Sequence, residues 1–240
     1  MNRYRLERLA VWSGVVFIVL FPAAVVMAGF VPPPSPSITG QELAARALDN
    51  QLMTRTGLML GIVAPIFLLP FTVVVSIQMA RIEGRYPVMS LSAFACGFVN
   101  MIAFFLPIVN GAAAYYRVDR DPELVRLMHD TAWLQFVMLY MPASFQILGP
   151  GFVGFNDRSP HPTFPRWFCY LCFWVALLIA AGGFTIFFHS GPFAWNGLIA
   201  FWQECVAYGA YFTAIIPLLL KAIARQEREE TGNELPAPAY

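Results

Sequence analysis

Glu204 lies about halfway along an otherwise apolar stretch, residues 193–221, that is long enough to cross a bilayer. An ionised carboxylate at that depth costs ~2.5 kcal/mol or more. It therefore calls for a proton, a partner or a polar cavity. Tyr208 and Tyr211 follow at i+4 and i+7, with the small Ala200 and Ala207 on the same stripe, so a phenol is placed to hydrogen-bond the carboxyl. Asn196 and Gln203 fall roughly 80–100° round the same helix. Two segments earlier, Arg126, Asp130 and Trp133 share a helical face, and Arg126 stands at i−4 to neutralise Asp130. Gln135 and Gln146 make a second stripe on nearly the opposite side. Asn100 and Asn110 add amides to a third segment, and His189 closes a fifth. Two buried acids with separated proton affinities suit acid and base work on a lipid-soluble substrate. The same groups suit recognition of an amphipathic molecule.

Other chemistries lack residues. His129 and His189 near helix ends are a weak bis-histidine haem signal, and His161 falls in a proline-flanked loop. A metal set of His129, Asp130, His189 and Glu204 needs Glu204 about two turns shallower in the membrane. No metal and no cofactor is therefore expected. Cys96, Cys169, Cys172 and Cys205 all lie within apolar stretches, and the C-x-x-C pair lacks a thioredoxin-like context; these read as small buried side chains. Walker, G-x-S-x-G, H-E-x-x-H and dinucleotide motifs do not occur. Lys221 is the only lysine and sits at a helix end, which disfavours a retinal Schiff base.

The elements that hold these groups follow from composition. Hydrophobic residues make up 58% of the 240-residue chain and charged residues 12%, with 22 phenylalanines, against a soluble norm of ~25% charged. A bilayer core takes about 20 helical residues. Six stretches qualify, roughly 9–30, 56–80, 87–114, 124–149, 166–188 and 193–221. They are continuous rather than alternating, so the fold class is an all-α polytopic membrane bundle and not a barrel. Residues 1–225 are expected to form a single domain, and 226–240, charged and then proline-rich, a disordered tail.

Topology follows from Lys and Arg in the connections. Arg3, Arg5, Arg8, Arg81, Arg85, Arg158, Arg166, Lys221, Arg225 and Arg228 fall on one side; Arg46, Arg55, Arg117, Arg120 and Arg126 fall on the other. Both termini are then cytoplasmic. Asn110, His129, Asp130, His189 and Asn196 lie in the outer half and Glu204 near the middle, as the floor of a pocket opening outwards. The plainer reading is that these groups make interhelical hydrogen bonds worth roughly 0.6 kcal/mol each, with Glu204 held as the neutral acid. A net charge of +1 gives no argument for nucleic acid. The first segment has a basic start and a Val26-Met27-Ala28 end like a signal peptide. Its apolar core of about 22 residues exceeds the usual 7–15, so it reads as a retained anchor.

Local signals sharpen the boundaries. Thr39-Gly40-Gln41-Glu42 has capping-box spacing, and Leu43, Ala44, Ala47, Leu48 and Leu52 recur on one face, which predicts an amphipathic helix over 40–52. Asp121-Pro122-Glu123 reads as a helix start, and Gly84 as a helix end. Pro22, Pro65, Pro70, Pro107, Pro142 and Pro217 fall within spans and predict kinks. Trp167 and Trp195 suit interfacial belts, whereas Trp133, Trp174 and Trp202 suit the wall of a flat cavity.

Phe164-Pro165-Arg166-Trp167-Phe168-Cys169-Tyr170, Trp174, Gly182-Gly183 and Gly191 to Leu198 resemble an uncharacterised group of bacterial multi-helix membrane proteins. Arg120 to Leu124, Asp130 to Trp133 and the proline-rich connector after Val31 are similar as well. The resemblance implies six spans in a bacterial cytoplasmic membrane and no catalytic residue. Gln203-Glu204 departs from the apolar residues of that group, which leaves a shared role to Asp130 and Trp133. The two intramembrane acids also look loosely like membrane terpene cyclases, without a shared motif.

Three function classes remain. The first is binding or transport of a hydrophobic or amphipathic small molecule by Glu204, Tyr208, Tyr211, Asn196, Gln203, Asp130, Trp133, Asn110 and His189. The second is an enzyme with Glu204 and Asp130 as acid and base on an isoprenoid or polycyclic substrate. The third is a structural subunit of a homo-oligomer or membrane complex. The lipid bilayer is a partner in all three.

Overall fold

The computed structural model describes residues 2–117 and 120–232, and the chain is all-helical among them. In chain order the helices are α1 (Arg3–Met27), α2 (Gly40–Asp49), α3 (Gln51–Val63), α4 (Leu68–Glu83), α5 (Val88–Tyr116), α6 (Pro122–Met138), α7 (Tyr140–Phe155), α8 (Arg166–Ile179) and α9 (Gln203–Thr231). Three short irregular helices complete the set: a 3-10 turn at Ala64–Phe67, a longer 3-10 segment at Ala180–Phe187 and a π-turn at Leu198–Trp202. Joined end to end, these pieces make six spans that are long and apolar enough to cross a membrane. Exposed side chains around the bundle include Trp174, Leu177, Val206 and Leu9. Apolar surface on that scale needs lipid rather than water.

Three spans are broken, each at a residue with a physical reason. Pro65 has no N–H to give a helix, and the backbone tightens into the 3-10 turn between α3 and α4. Pro142 deprives the Met138 carbonyl of its i+4 donor, and the chain leaves α6 at Leu139 (φ −81°, ψ 38°) before resuming as α7. After α8, the small Ala180-Ala181-Gly182-Gly183 run permits the 3-10 segment. The sixth span starts later than the apolar run predicts. Residues 193–197 form a turn behind Gly191 (φ 82°), in which the Ile199 and Ala200 N–H groups return to the Pro192 carbonyl.

Packing is sequential with one long return. α5 lies against α4, α6 and α7, α7 against α8, α8 against α9, and α9 against α1, which also covers α3 and α4. α1 is thus a member of the core, with Val11, Phe17, Phe21 and Ala24 buried. At the end of the bundle that holds both termini, a polar cluster ties three helices. Glu7 of α1, 6% exposed, accepts from Gln78 Nε2 of α4 at 2.9 Å, Arg81 at 3.3 Å and Arg3 at 3.0 Å. Gln226 of α9 donates to Gln78 Oε1 at 2.8 Å, and Arg8 pairs with Glu227. α9 runs through Gln226 to Thr231, with Gln226 and Glu227 in those bonds, and residues 233–240 of the expected tail lie outside the described residues.

At the opposite end the predicted caps are present. Asp121 accepts from the Glu123 N–H at 2.8 Å with Pro122 at the first helical position; the predicted cap at Gly84, φ 77°, ends α4 at the other end, beside the Glu7 cluster. Thr39 and Glu42 form the reciprocal box, the Thr39 N–H to Glu42 Oε2 at 3.0 Å and the Glu42 N–H to Thr39 Oγ1 at 3.2 Å. α2 stops at Asn50 (φ −140°, ψ 49°) rather than at 52. Leu43 is buried against Val125 of α6, whereas Leu48 and Leu52 point outwards; the side chain of Ala47 is outside the described set. The Thr39 N–H and hydroxyl hold the Glu42 carboxyl below its usual range. A carboxyl with a lowered folded value stabilises at pH above its unfolded value and loses that effect as pH falls through the folded one. Protection of the Leu43 amide, taken against the intrinsic exchange rate at the same pH, is therefore expected to fall in acid. Thr39→Ala is expected to cost about 1 kcal/mol of α2 docking and to speed that exchange already at neutral pH.

Candidate ligand cavity

The breaks at Leu139, Ala180 and Leu198 converge around Glu204. A Cβ on Gly182 would run into both the Val137 carbonyl oxygen and Glu204 Oε1, and a Cβ on Gly183 would meet the Tyr140 ring. The two glycines therefore let the 3-10 segment lie flat between the end of α6 and the start of α9. Glu204 Oε1 is buried there with no hydrogen-bond partner. Gln203 donates to the Leu178 carbonyl at 3.2 Å, filling a bond that the change from α to 3-10 geometry disturbs.

Beside Glu204 opens a cavity of about 330 Å³ between α1, α5, α6, the first turn of α7 and the start of α9. Phe21, Phe104, Phe136, Trp133, Phe201 and Tyr208 supply ring surfaces, with Val25, Pro107 and Ile179 between them. Phe104 meets Phe21 edge-on at 4.9 Å between centroids, and Trp133 meets Phe201 at 5.8 Å. Polar groups on the wall are few, chiefly Glu204, Asn100, Tyr208 and Tyr140. Asn100 is oriented by a buried chain: its Nδ2 donates to Gln146 Oε1 at 3.1 Å, and Gln146 Nε2 donates to Thr72 Oγ1 at 2.9 Å. With one N–H engaged, Asn100 keeps its second N–H and its oxygen for the cavity.

The cavity has a side mouth. Pro22 and Val26 of α1 line it and are exposed on the outside of the bundle, and so do Trp202 and Cys205 across from them. α1 and α9 are held together near the termini by Tyr4 on Gln226 and Arg8 on Glu227, and at mid-span Phe17 lies 5.9 Å from Phe212 between ring centroids.

Of the residues read from the sequence as a site, Glu204, Tyr208 and Trp133 meet at this cavity. The others go elsewhere. Tyr211, 2% exposed, turns towards α8 and rests on Phe168 with its hydroxyl unpartnered. Asn110 donates to Gln135 Oε1 at 2.6 Å and to the Leu106 carbonyl, so the interhelical reading holds for it. Asn196 is half-buried in the turn before the π-turn, and His189 is exposed in the preceding loop. Asp130 lies off the cavity wall, so it and Glu204 do not form an acid–base pair at one cavity. Its expected partner Arg126 pairs with Glu123 at 3.8 Å instead, and His129 Nδ1 lies 3.9 Å from Asp130. His129 is fully buried, and its Nε2 accepts from Trp133 Nε1 at 3.1 Å.

The tryptophans divide differently from the expectation. Trp195 is buried and donates to the Pro34 carbonyl at 2.9 Å rather than marking an interface, and Trp174 faces lipid. Trp133 and Trp202 do line the cavity. The phenylalanines of α1 and α5 were missed as wall residues, because an aromatic in an apolar span has the same sequence signature whether it meets lipid, core or void. Compared with known proteins, the chain matches no family model, no curated protein and no solved structure.

Proposed function

We propose that this multi-pass membrane protein binds a lipophilic small molecule in the cavity beside Glu204, taking it from the bilayer through the side mouth between α1 and α9. The observation that carries the reading is the cavity itself: an aromatic-walled void of about 330 Å³, of the size that small-molecule sites occupy, opening at hydrocarbon depth. An apolar wall with a few convergent polar groups fixes orientation through hydrogen bonds while the rings supply affinity. The distribution of basic residues supports cytoplasmic termini in a bacterial inner membrane, which places the cavity in the outer half and suits exchange with the outer leaflet. Kinked and broken helices around the mouth are suited to opening it.

Mass spectrometry of small molecules that co-purify with the chain in a mild detergent tests this. A lipophilic species enriched with the unaltered protein is expected to be lost from Ala103→Trp, because Ala103 lines the cavity and an indole there fills it. Nothing enriched above an empty-membrane control would sink the reading.

A further inference from the structure

We propose that the cavity selects a lipophilic monocation, such as a flat aromatic or quaternary amine, whose charge is met by Glu204 and by the faces of the surrounding rings. This rests on the cavity reading above and names the chemical class that fills it. Three features of the wall point the same way. Glu204 is its single carboxylic acid, and no Lys, Arg or His lines it among the described residues. Its rings include Trp133, Phe136 and Tyr208, whose faces attract cations, most strongly where water is excluded. Its carboxyl keeps an acceptor unfilled, since Glu204 Oε1 is buried with no hydrogen-bond partner. An anionic ligand would find no cationic side chain on this wall to meet it.

No basic side chain on the wall competes for the carboxyl. On α9 its neighbours are Cys205 and Tyr208, α7 presents Tyr140, α5 presents Asn100, and the 3-10 segment 180–187 carries nothing ionisable. The ionisable residues of α1 all lie between Arg3 and Arg8, at the far end of that helix, and Asp130 and His129 of α6 lie off the wall. In an empty cavity the carboxyl is therefore held neutral by a proton. A bound cation replaces that proton, which passes to solvent, so each cation taken up from the neutral-acid state releases one proton.

A matched pair of probes tests the class: 1-pyrenemethyl-trimethylammonium and 1-pyrenemethanol, added to the full chain in an uncharged detergent. Binding is read as energy transfer from tryptophan to pyrene, because Trp133 and Trp202 line the cavity. The cation is expected to bind about tenfold or more tighter than the alcohol. Glu204→Gln should erase that preference while keeping alcohol binding, and Glu204→Asp should restore part of it. Weakly buffered samples of the unaltered chain should acidify on adding the cation and not the alcohol. Equal affinity for the two probes, or a preference that survives Glu204→Gln, overturns the cation proposal alone, provided that Ala103→Trp still abolishes alcohol binding. If neither probe binds, or Ala103→Trp changes neither, the cavity reading falls and takes this inference with it. Should Glu204→Gln fail to fold, the pair of probes and the proton release on the unaltered chain still decide the matter.

Discussion

Glu7→Ala is expected to destabilise the bundle by about 3–5 kcal/mol, the cost of removing one partner from a buried ionic cluster. Glu7 is 6% exposed and Gln78 is fully buried, so water cannot replace the lost carboxylate. Truncation leaves the Arg81 guanidinium and the Gln78 amide facing a void lined by α1, α4 and α9. The effect arises mainly from these two donors. Arg3 also bonds Glu7, but its side chain is 54% exposed, and exposed pairs are worth ~1 kcal/mol or less. Arg3→Ala is therefore expected to lower the melting temperature only slightly. Thermal unfolding of the two variants in one detergent, followed by tryptophan fluorescence, checks the ranking. Comparable small shifts for both would show that solvent reaches the cluster.

That cluster marks a limit of reading a membrane chain from its sequence. Glu7 follows four residues after Arg3, the first basic group, and Gln78 closes an apolar span; each by itself looks like a solvated helix end. Only the return of α9 beside α1 buries them, and neither residue carries a local sign of that contact. By contrast, the spans, the capping box at Thr39 and the start of α6 at Asp121 were legible, because hydropathy, cap chemistry and proline act within one turn. Boundaries failed where the backbone departs from α geometry. The run 193–221 is apolar from its first residue, so hydropathy could not separate the turn before Leu198 from the helix after it.

The candidate site was legible in its anomaly and not in its walls. A mid-span glutamate is conspicuous because its cost has to be met somewhere, and Tyr208 at i+4 follows from helical spacing. Tyr211 at i+7 was assigned to the same stripe, yet one turn further from the cavity the same face of α9 meets α8, where Tyr211 rests on Phe168. Asn110 and Asn100 are alike in sequence, both amides in one span. The first bonds Gln135 and the second bonds Gln146 beside the cavity, a distinction set by which helix faces each, which spacing within α5 does not reveal.

Gly182 links the broken helices to the carboxyl, and Gly182→Ala is expected to damage stability and binding together. Its new methyl group would collide with the Val137 carbonyl oxygen, which is backbone and cannot rotate away, as well as with Glu204 Oε1. Relief requires the 3-10 segment to move off α6 or the glutamate to swing into the cavity. Overpacking of this kind costs about 1–3 kcal/mol. A displaced carboxyl would in addition occupy space meant for a ligand, so affinity for a lipophilic probe should fall further than stability alone explains. Gly183→Ala offers a comparison, because its methyl meets only the Tyr140 side chain, which can turn. Melting curves and probe titrations on the two variants separate the cases. The expected order is a larger loss on both measures for Gly182→Ala, and a variant that melts early yet binds with unchanged affinity would disconnect the helix break from the site.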